Sequence, residues 1–232
     1  MSKEFYGFEK LSLVDLQDFL ACTLFTGGCN FRCPFCHNSA LVIDYDKYQT
    51  FDFDEIMEYL RLRKNMLDAV VISGGEPTLL DDLEDRLKQI KELGYFIKFD
   101  TNGSNLKVVK NLVDKKLIDY VAMDIKNCKD RYNETIGLDN YNFDRIQESI
   151  DYLKANNVDY EFRTTLVSEL HSLDDIKKMG ELVKGAKKLY LQKFVDHDSC
   201  IKEGFHEVPK EVALEYKKVL EKYVDNVYLR GY

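Results

Sequence analysis

A chain of 232 residues, 45% hydrophobic and 32% charged, has the composition of a folded globular protein and not the low-hydrophobicity, high-charge signature of a disordered one. Its 41 acidic and 33 basic side chains leave a formal charge of −8, which argues against a broad phosphate-neutralising face and so against nucleic acid as a partner. The start, Met1-Ser2-Lys3-Glu4-Phe5, lacks the apolar run of a secretion signal, and no stretch approaches the ~20 apolar residues of a membrane span, so a cytoplasmic protein with no membrane partner is expected.

Asp18 to Phe25 is a short, mostly apolar run ended by Gly27-Gly28, which predicts a buried strand leading into the stretch Gly27 to Asn38. In that stretch Cys29, Cys33 and Cys36 stand three and then two residues apart, close enough for their sulfurs to converge. Six cysteines in a reducing compartment argue for metal and against a disulfide framework. The isolated Cys22, Cys128 and Cys200 read as ordinary thiols.

Helical spacing of Phe53, Ile56, Met57 and Leu60 predicts a helix over 53–64, with Asp52 or Asp54 as its cap. The β-branched run Ala69 to Ile72 stops at Ser73-Gly74-Gly75-Glu76-Pro77, and Leu83, Leu87, Ile90 and Leu93 mark a helix ending at Gly94. The unit then recurs. Strands are expected at 95–99, 120–123, 160–166 and 188–194, and helices at 106–115, 143–156, 173–183 and 210–223. A short Val227-Tyr228-Leu229 segment follows, and Leu229-Arg230-Gly231-Tyr232 reads as a tail.

Six strands alternating with helices are the pattern of repeated βαβ units on a parallel sheet. The expected fold is an α/β open (β/α)6 partial TIM barrel, one domain over 1–232, with its chemistry on the loops after the strands. Each strand does end in polar residues, among them Asp100-Thr101-Asn102-Gly103 and Asp124-Ile125-Lys126.

Three clustered cysteines can complete three irons of a cubane iron–sulfur cluster and leave the fourth iron free. The alternative is a zinc knuckle, which closes with four ligands and finds only His37 nearby, adjacent to Cys36. Gly74-Gly75-Glu76 combines glycines that permit close backbone approach with a carboxylate able to accept from an ammonium group; alone it could equally be a tight turn.

The three-cysteine loop with Phe35 before its last cysteine, followed by Gly74-Gly75-Glu76-Pro77, resembles the radical S-adenosylmethionine (radical SAM) superfamily over nearly the whole chain. Within it, Gly28 to Asn38, Asp100 to Gly103 and Asp124 to Lys126 are similar to activating enzymes of glycyl-radical enzymes. Phe8 to Leu13, Glu161 to Thr165 and Leu191 to Phe194 are similar to anaerobic ribonucleoside-triphosphate reductase activating proteins, with pyruvate formate-lyase activating enzymes as near neighbours.

The resemblance implies a [4Fe-4S] cluster on Cys29, Cys33 and Cys36 whose free iron chelates S-adenosylmethionine, and a 5′-deoxyadenosyl radical that takes a hydrogen from a backbone glycine of a large partner. The implied partner is a glycyl-radical enzyme, anaerobic ribonucleotide reductase first, with a flavodoxin or ferredoxin-type electron donor. By the same resemblance Gly74, Gly75 and Glu76 hold the methionyl end and the backbone at Phe35 meets the adenine. Asp100 and Asp124, with Thr101, resemble a monovalent-cation site, Lys126 and Arg163 lie near the cofactor, and the ribose is met by His197, by Gln192 or by neither. Asp15-Leu16-Gln17-Asp18 departs from the family's Asp-x-Pro-Gly turn, and no second cysteine set follows Asn38, so one cluster is implied. The rival in another class is a small-molecule radical enzyme such as 7-carboxy-7-deazaguanine synthase.

Overall fold

The computed structural model describes residues 4–155, 157–195 and 200–232. Among them eight strands follow one another along the chain: β1 (Phe5–Ser12), β2 (Ala21–Thr26), β3 (Ala69–Gly74), β4 (Phe96–Thr101), β5 (Tyr120–Asp124), β6 (Asp159–Leu166), β7 (Lys188–Lys193) and β8 (Asn226–Arg230). The α-helices are α1 (Ser39–Ile43), α2 (Phe53–Arg63), α3 (Leu83–Glu92), α4 (Leu106–Asp114), α5 (Tyr132–Ile136), α6 (Asp144–Lys154), α7 (Leu173–Leu182) and α8 (Lys210–Leu220). This is the alternating α/β order of the expected partial barrel. No helix among the described residues is long and apolar enough to cross a membrane.

The chain divides into two compact units. The first comprises Met1–Asn30, Asn38–Thr101 and Asn105–Val121. There β2, β3 and β4 pair in parallel, with Ala21 opposite Ala69 and Ala69 opposite Phe96. Leu24, Val70, Ile72, Ile97 and Phe99 are fully buried, the continuous apolar character of a sheet covered on both faces. Ile56, Met57 and Leu60 of α2 and Leu83, Leu87 and Ile90 of α3 are buried with them, each contributing roughly 1.5–3 kcal/mol of transfer free energy. Asp52 caps α2 by accepting from the Asp54 N–H at 2.7 Å, as its position predicts.

The second unit comprises Phe31–His37, Asn102–Ser104 and Ala122–Tyr232. Its strands β6, β7 and β8 pair in parallel, with Arg163 opposite Tyr190 and Tyr190 opposite Tyr228. Phe162, Leu166, Leu189 and Leu191 are buried from the strands, and Ile146, Ile150, Ile176 and Met179 from α6 and α7.

Three strands differ from the sequence expectation, and the short helices α1 and α5 were not expected. Strand β1 was not anticipated: Phe5 to Ser12 carries Gly7, Glu9 and Lys10 in place of an apolar run, because it is an edge strand, antiparallel to β2 with two register shifts and bridged on its other side only at Phe5 to Phe51 among the described residues. Strand β2 begins at Ala21 and not at Asp18, since Asp18 takes a left-handed turn (φ 66°) and the Leu20 N–H donates to the Asp68 carboxylate. The 227–229 segment and part of the tail form β8, held by its register on β7.

Helix α7 starts with a reciprocal cap in which the Ser172 hydroxyl accepts from the Asp175 N–H at 3.2 Å and the Asp175 carboxylate accepts from the Ser172 N–H at 2.9 Å. Ser172→Ala is expected to cost about 1 kcal/mol, read as a lower urea midpoint with an unchanged m-value.

Candidate active site

In the first unit the turn after β3 is pressed against the backbone that leads into the cysteines. Gly74 (φ 119°) has no room for a side chain, because a Cβ there would lie 2.3 Å from the Thr26 nitrogen; a Cβ on Gly75 would lie 2.0 Å from the Gly28 carbonyl oxygen. The Gly75 N–H donates to Thr26 O at 2.9 Å and the Glu76 N–H to Gly28 O at 2.8 Å. Past the cysteines, Asn38 Nδ2 donates to Gly74 O at 3.2 Å. The sequence reading has the two glycines admitting a ligand; their backbone contacts in the structure are to both ends of the cysteine loop.

Glu76 is wholly buried, and its Oε1 accepts from the Thr78 N–H (3.1 Å), the Thr78 hydroxyl (2.7 Å) and the Thr101 hydroxyl (2.9 Å). Thr101 therefore serves Glu76. Asp100 Oδ2 accepts from the Ser73 hydroxyl at 3.0 Å, and Oδ1 pairs with Lys98 Nζ at 3.0 Å. Lys98 lies two residues earlier on the same face of β4, is 2% exposed, and also donates to Asp15 O at 2.7 Å. Cys29 is partly exposed beside Asn30.

In the second unit Cys33 is buried and Cys36 partly exposed, in a turn closed by the Cys36 N–H donating to Cys33 O at 3.0 Å. Phe35, buried, meets Phe194 edge-on with ring centroids 6.4 Å apart, and His37 lies 5.2 Å from the same ring. The Lys202 N–H donates to Pro34 O at 2.9 Å.

Beyond the cysteine turn, Asp124 at the end of β5 bridges two cations, with Arg163 Nε at 2.9 Å and Lys126 Nζ at 2.8 Å. Burial alone would raise the Asp124 pKa; Arg163 and then Lys126 outweigh it and hold the carboxyl at about 2. Burial likewise disfavours the Lys126 ammonium, but Asp124 and then Cys33 outweigh it and raise its pKa. Each of the two aspartates expected at a cation site thus has a basic side chain of its own unit as counter-charge.

The buried His171 was not anticipated. Its Nε2–H donates to Lys126 O at 3.0 Å and its Nδ1 accepts from the Val167 N–H at 3.0 Å, partners that assign the tautomer. Burial lowers its pKa, so it is neutral and ties the backbone of Lys126 to the loop after β6. A lone histidine carries no sequence signal for this; Lys98 and Asp100 at strand spacing do. Gln192 lies on β7 opposite Thr165, and His197 lies outside the described residues. Cys22 and Cys128 are buried thiols whose pKa burial raises, to about 12 for Cys22, against ligation as thiolates.

A profile for the radical SAM superfamily matches residues 23–183. The chain belongs to that superfamily. A protein of Methanocaldococcus jannaschii named as a candidate glycyl-radical enzyme activating enzyme is 37% identical over 97% of this chain and 94% of its own length. A second from the same organism, similarly named, is 29% identical over 98% of this chain and 86% of its own. A 7-carboxy-7-deazaguanine synthase of Haemophilus influenzae is 28% identical over 70% and 74%. Among solved structures, Streptococcus suis SuiB bound to S-adenosylmethionine has a TM-score of 0.69 at 16% identity, over 88% of this chain and 48% of that one. A domain of a Bacteroides vulgatus pyruvate-formate lyase-activating enzyme has a TM-score of 0.56 at 18% identity, over 70% and 99%.

The radical SAM cofactors are a [4Fe-4S] cluster and S-adenosylmethionine, and this enzyme takes both. The residues present fit. Three thiols within eight residues supply donors for three irons, and Lys126 is close enough to Cys33 and Cys36 for their negative charge to help raise its own pKa.

Because the Asp124 pKa in the folded protein lies below the ordinary 3.8, its ion pairs stabilise the fold above pH ~4, and that contribution is lost as the pH falls toward 2. Asp124→Asn is expected to cost on the order of 2–3 kcal/mol in urea denaturation at pH 7 and less as the pH drops below 4. An equal deficit at both pH values would show that these ion pairs add nothing to stability.

Proposed function

We propose that this radical SAM enzyme is an activase that cleaves S-adenosylmethionine reductively and installs a glycyl radical on a large partner enzyme. The observation that carries the reading is the 37% identity to a candidate glycyl-radical enzyme activating enzyme, sustained over 97% of this chain. The partner proposed first is anaerobic ribonucleotide reductase, supported by the segments Phe8 to Leu13, Glu161 to Thr165 and Leu191 to Phe194; the electron donor is a flavodoxin or a ferredoxin-type protein.

In this reading Cys29, Cys33 and Cys36 hold the cluster. Together the cluster and S-adenosylmethionine supply the one-electron chemistry and the carbon-centred radical. The chain binds and orients. Glu76, its Oε1 fixed by three donors, is a rigid acceptor for an ammonium group, and the backbone of Gly74 and Gly75 lines the methionyl end. Arg163 and Lys126 hold two positive charges beside Asp124, where they would face a cofactor carboxylate or the thiolates. The backbone at Phe35 is steadied for the adenine by Phe194 and by the Lys202 N–H on Pro34.

The likeness to 7-carboxy-7-deazaguanine synthase supports a second reading, a radical enzyme acting on a small molecule. One experiment separates the two. The protein is reconstituted anaerobically with iron and sulfide, then given reductant, S-adenosylmethionine and candidate partner enzymes, and followed by electron paramagnetic resonance. The activase reading expects a glycine-centred doublet on a partner; cofactor cleavage with no doublet on any candidate favours the small-molecule reading. Cys33→Ala is expected to abolish cleavage and Cys128→Ala to leave it intact, and equal loss in both would overturn the cluster assignment.

A further inference from the structure

The peptide of Arg32, immediately before Cys33, rests on the end of α5. Its N–H donates to Ile136 O at 2.8 Å, and its carbonyl lies directly over Gly137. Gly137 ends α5 in the left-handed conformation (φ 68°, ψ 35°), and a Cβ there would stand 2.2 Å from Arg32 O, 2.9 Å from Arg32 C and 3.2 Å from Arg32 Cβ. The nearest of these atoms are backbone, so no side-chain rotation relieves the overlap.

Neither partner is free to retreat. Tyr132 of α5 is fully buried, with its ring 6.4 Å from Phe31 and 4.9 Å from Phe143. The Thr135 hydroxyl accepts from Asn127 Nδ2 at 3.0 Å, and the same amide donates to Leu170 O at 2.8 Å. Beyond Arg32, Pro34 O is held by the Lys202 N–H. An added methyl at position 137 has to displace the Arg32–Cys33 peptide.

We propose that Gly137 is a positioning residue for the cluster: its missing side chain sets where the Cys33 thiol stands. This rests on the reading of Cys33 as a cluster ligand. Two other glycines separate the effect from ordinary backbone strain. Gly94 (φ 86°) and Gly185 (φ 80°) share the left-handed conformation, yet a Cβ at either would meet nothing within 4 Å.

The test compares Gly137→Ala, Gly94→Ala, Gly185→Ala and Cys33→Ala in the full chain. Melting of the metal-free proteins is measured, then iron and sulfide bound per chain after anaerobic reconstitution, the resonance spectrum of the reduced cluster with and without S-adenosylmethionine, and cofactor cleavage. Gly137→Ala is expected to bind less iron and sulfide, to give an altered cluster spectrum, and to cleave S-adenosylmethionine on the order of tenfold to a hundredfold more slowly. Gly94→Ala and Gly185→Ala should keep the parent spectrum whatever their melting shifts. A parent-like cluster in Gly137→Ala, or equal losses in Gly185→Ala, would overturn the proposal.

Should Gly137→Ala lose its cooperative melting, Thr135→Val decides, since it releases α5 from Asn127 without adding an atom at 137; it is expected to show an intermediate loss of iron and a shifted spectrum, and a parent-like result would overturn the proposal. Full iron binding by Cys33→Ala would instead defeat the ligand assignment on which the inference stands.

Discussion

Close backbone crossing governs the cysteine loop. At Gly74 and Gly75 the turn after β3 lies against Thr26 and Gly28 so tightly that a single added carbon would overlap main-chain atoms, and two N–H donors of that turn hold the crossing. Asn38 returns to the same turn. The loop's middle is anchored by the buried rings of Phe31 and Phe35, but its glycine and asparagine ends have little apolar surface and are held by hydrogen bonds, each worth about 1 kcal/mol net. The second unit treats the middle of the loop in the same way, with Ile136 and Gly137 against Arg32 and Lys202 on Pro34.

Charge is arranged with equal economy. The protein is acidic overall, yet three cations at or near the strand ends are enclosed: Lys98 is 2% exposed, and the side chains of Arg163 and Lys126 are 11% and 19% exposed. Desolvating a lysine is costly unless an anion answers it, and each here has an aspartate on its own strand or immediately past it. Neutral His171 adds a hydrogen bond to the Lys126 backbone without adding charge. Rigid dipoles and paired charges of this kind are what a radical enzyme's protein part contributes, since binding and orientation are its task.

Much of the fold was legible because strands buried on both faces read as unbroken apolar runs; Ala69 to Ile72 and Tyr120 to Met123 are found where their composition places them. The edges were not. Strand β1 is an edge strand, laddered to β2 and bridged elsewhere at Phe5 to Phe51, so it tolerates glycine and charge, and its pattern is not that of a core strand. Helix α5 is five residues long, too short for a helical period to show, although the Gly137 that ends it bears on the peptide before Cys33.

By itself the sequence pointed to the superfamily. Three thiols at close spacing, a glycine-glycine-glutamate turn and acidic strand ends are local patterns, legible without the fold. Tertiary structure decided what those residues touch. Thr101 turns to Glu76, Lys98 answers Asp100, Arg163 and Lys126 share Asp124, and the two glycines meet backbone. Such partners are set by strand register and by close approach between segments far apart in the chain, and neither leaves a mark in the spacing of nearby residues.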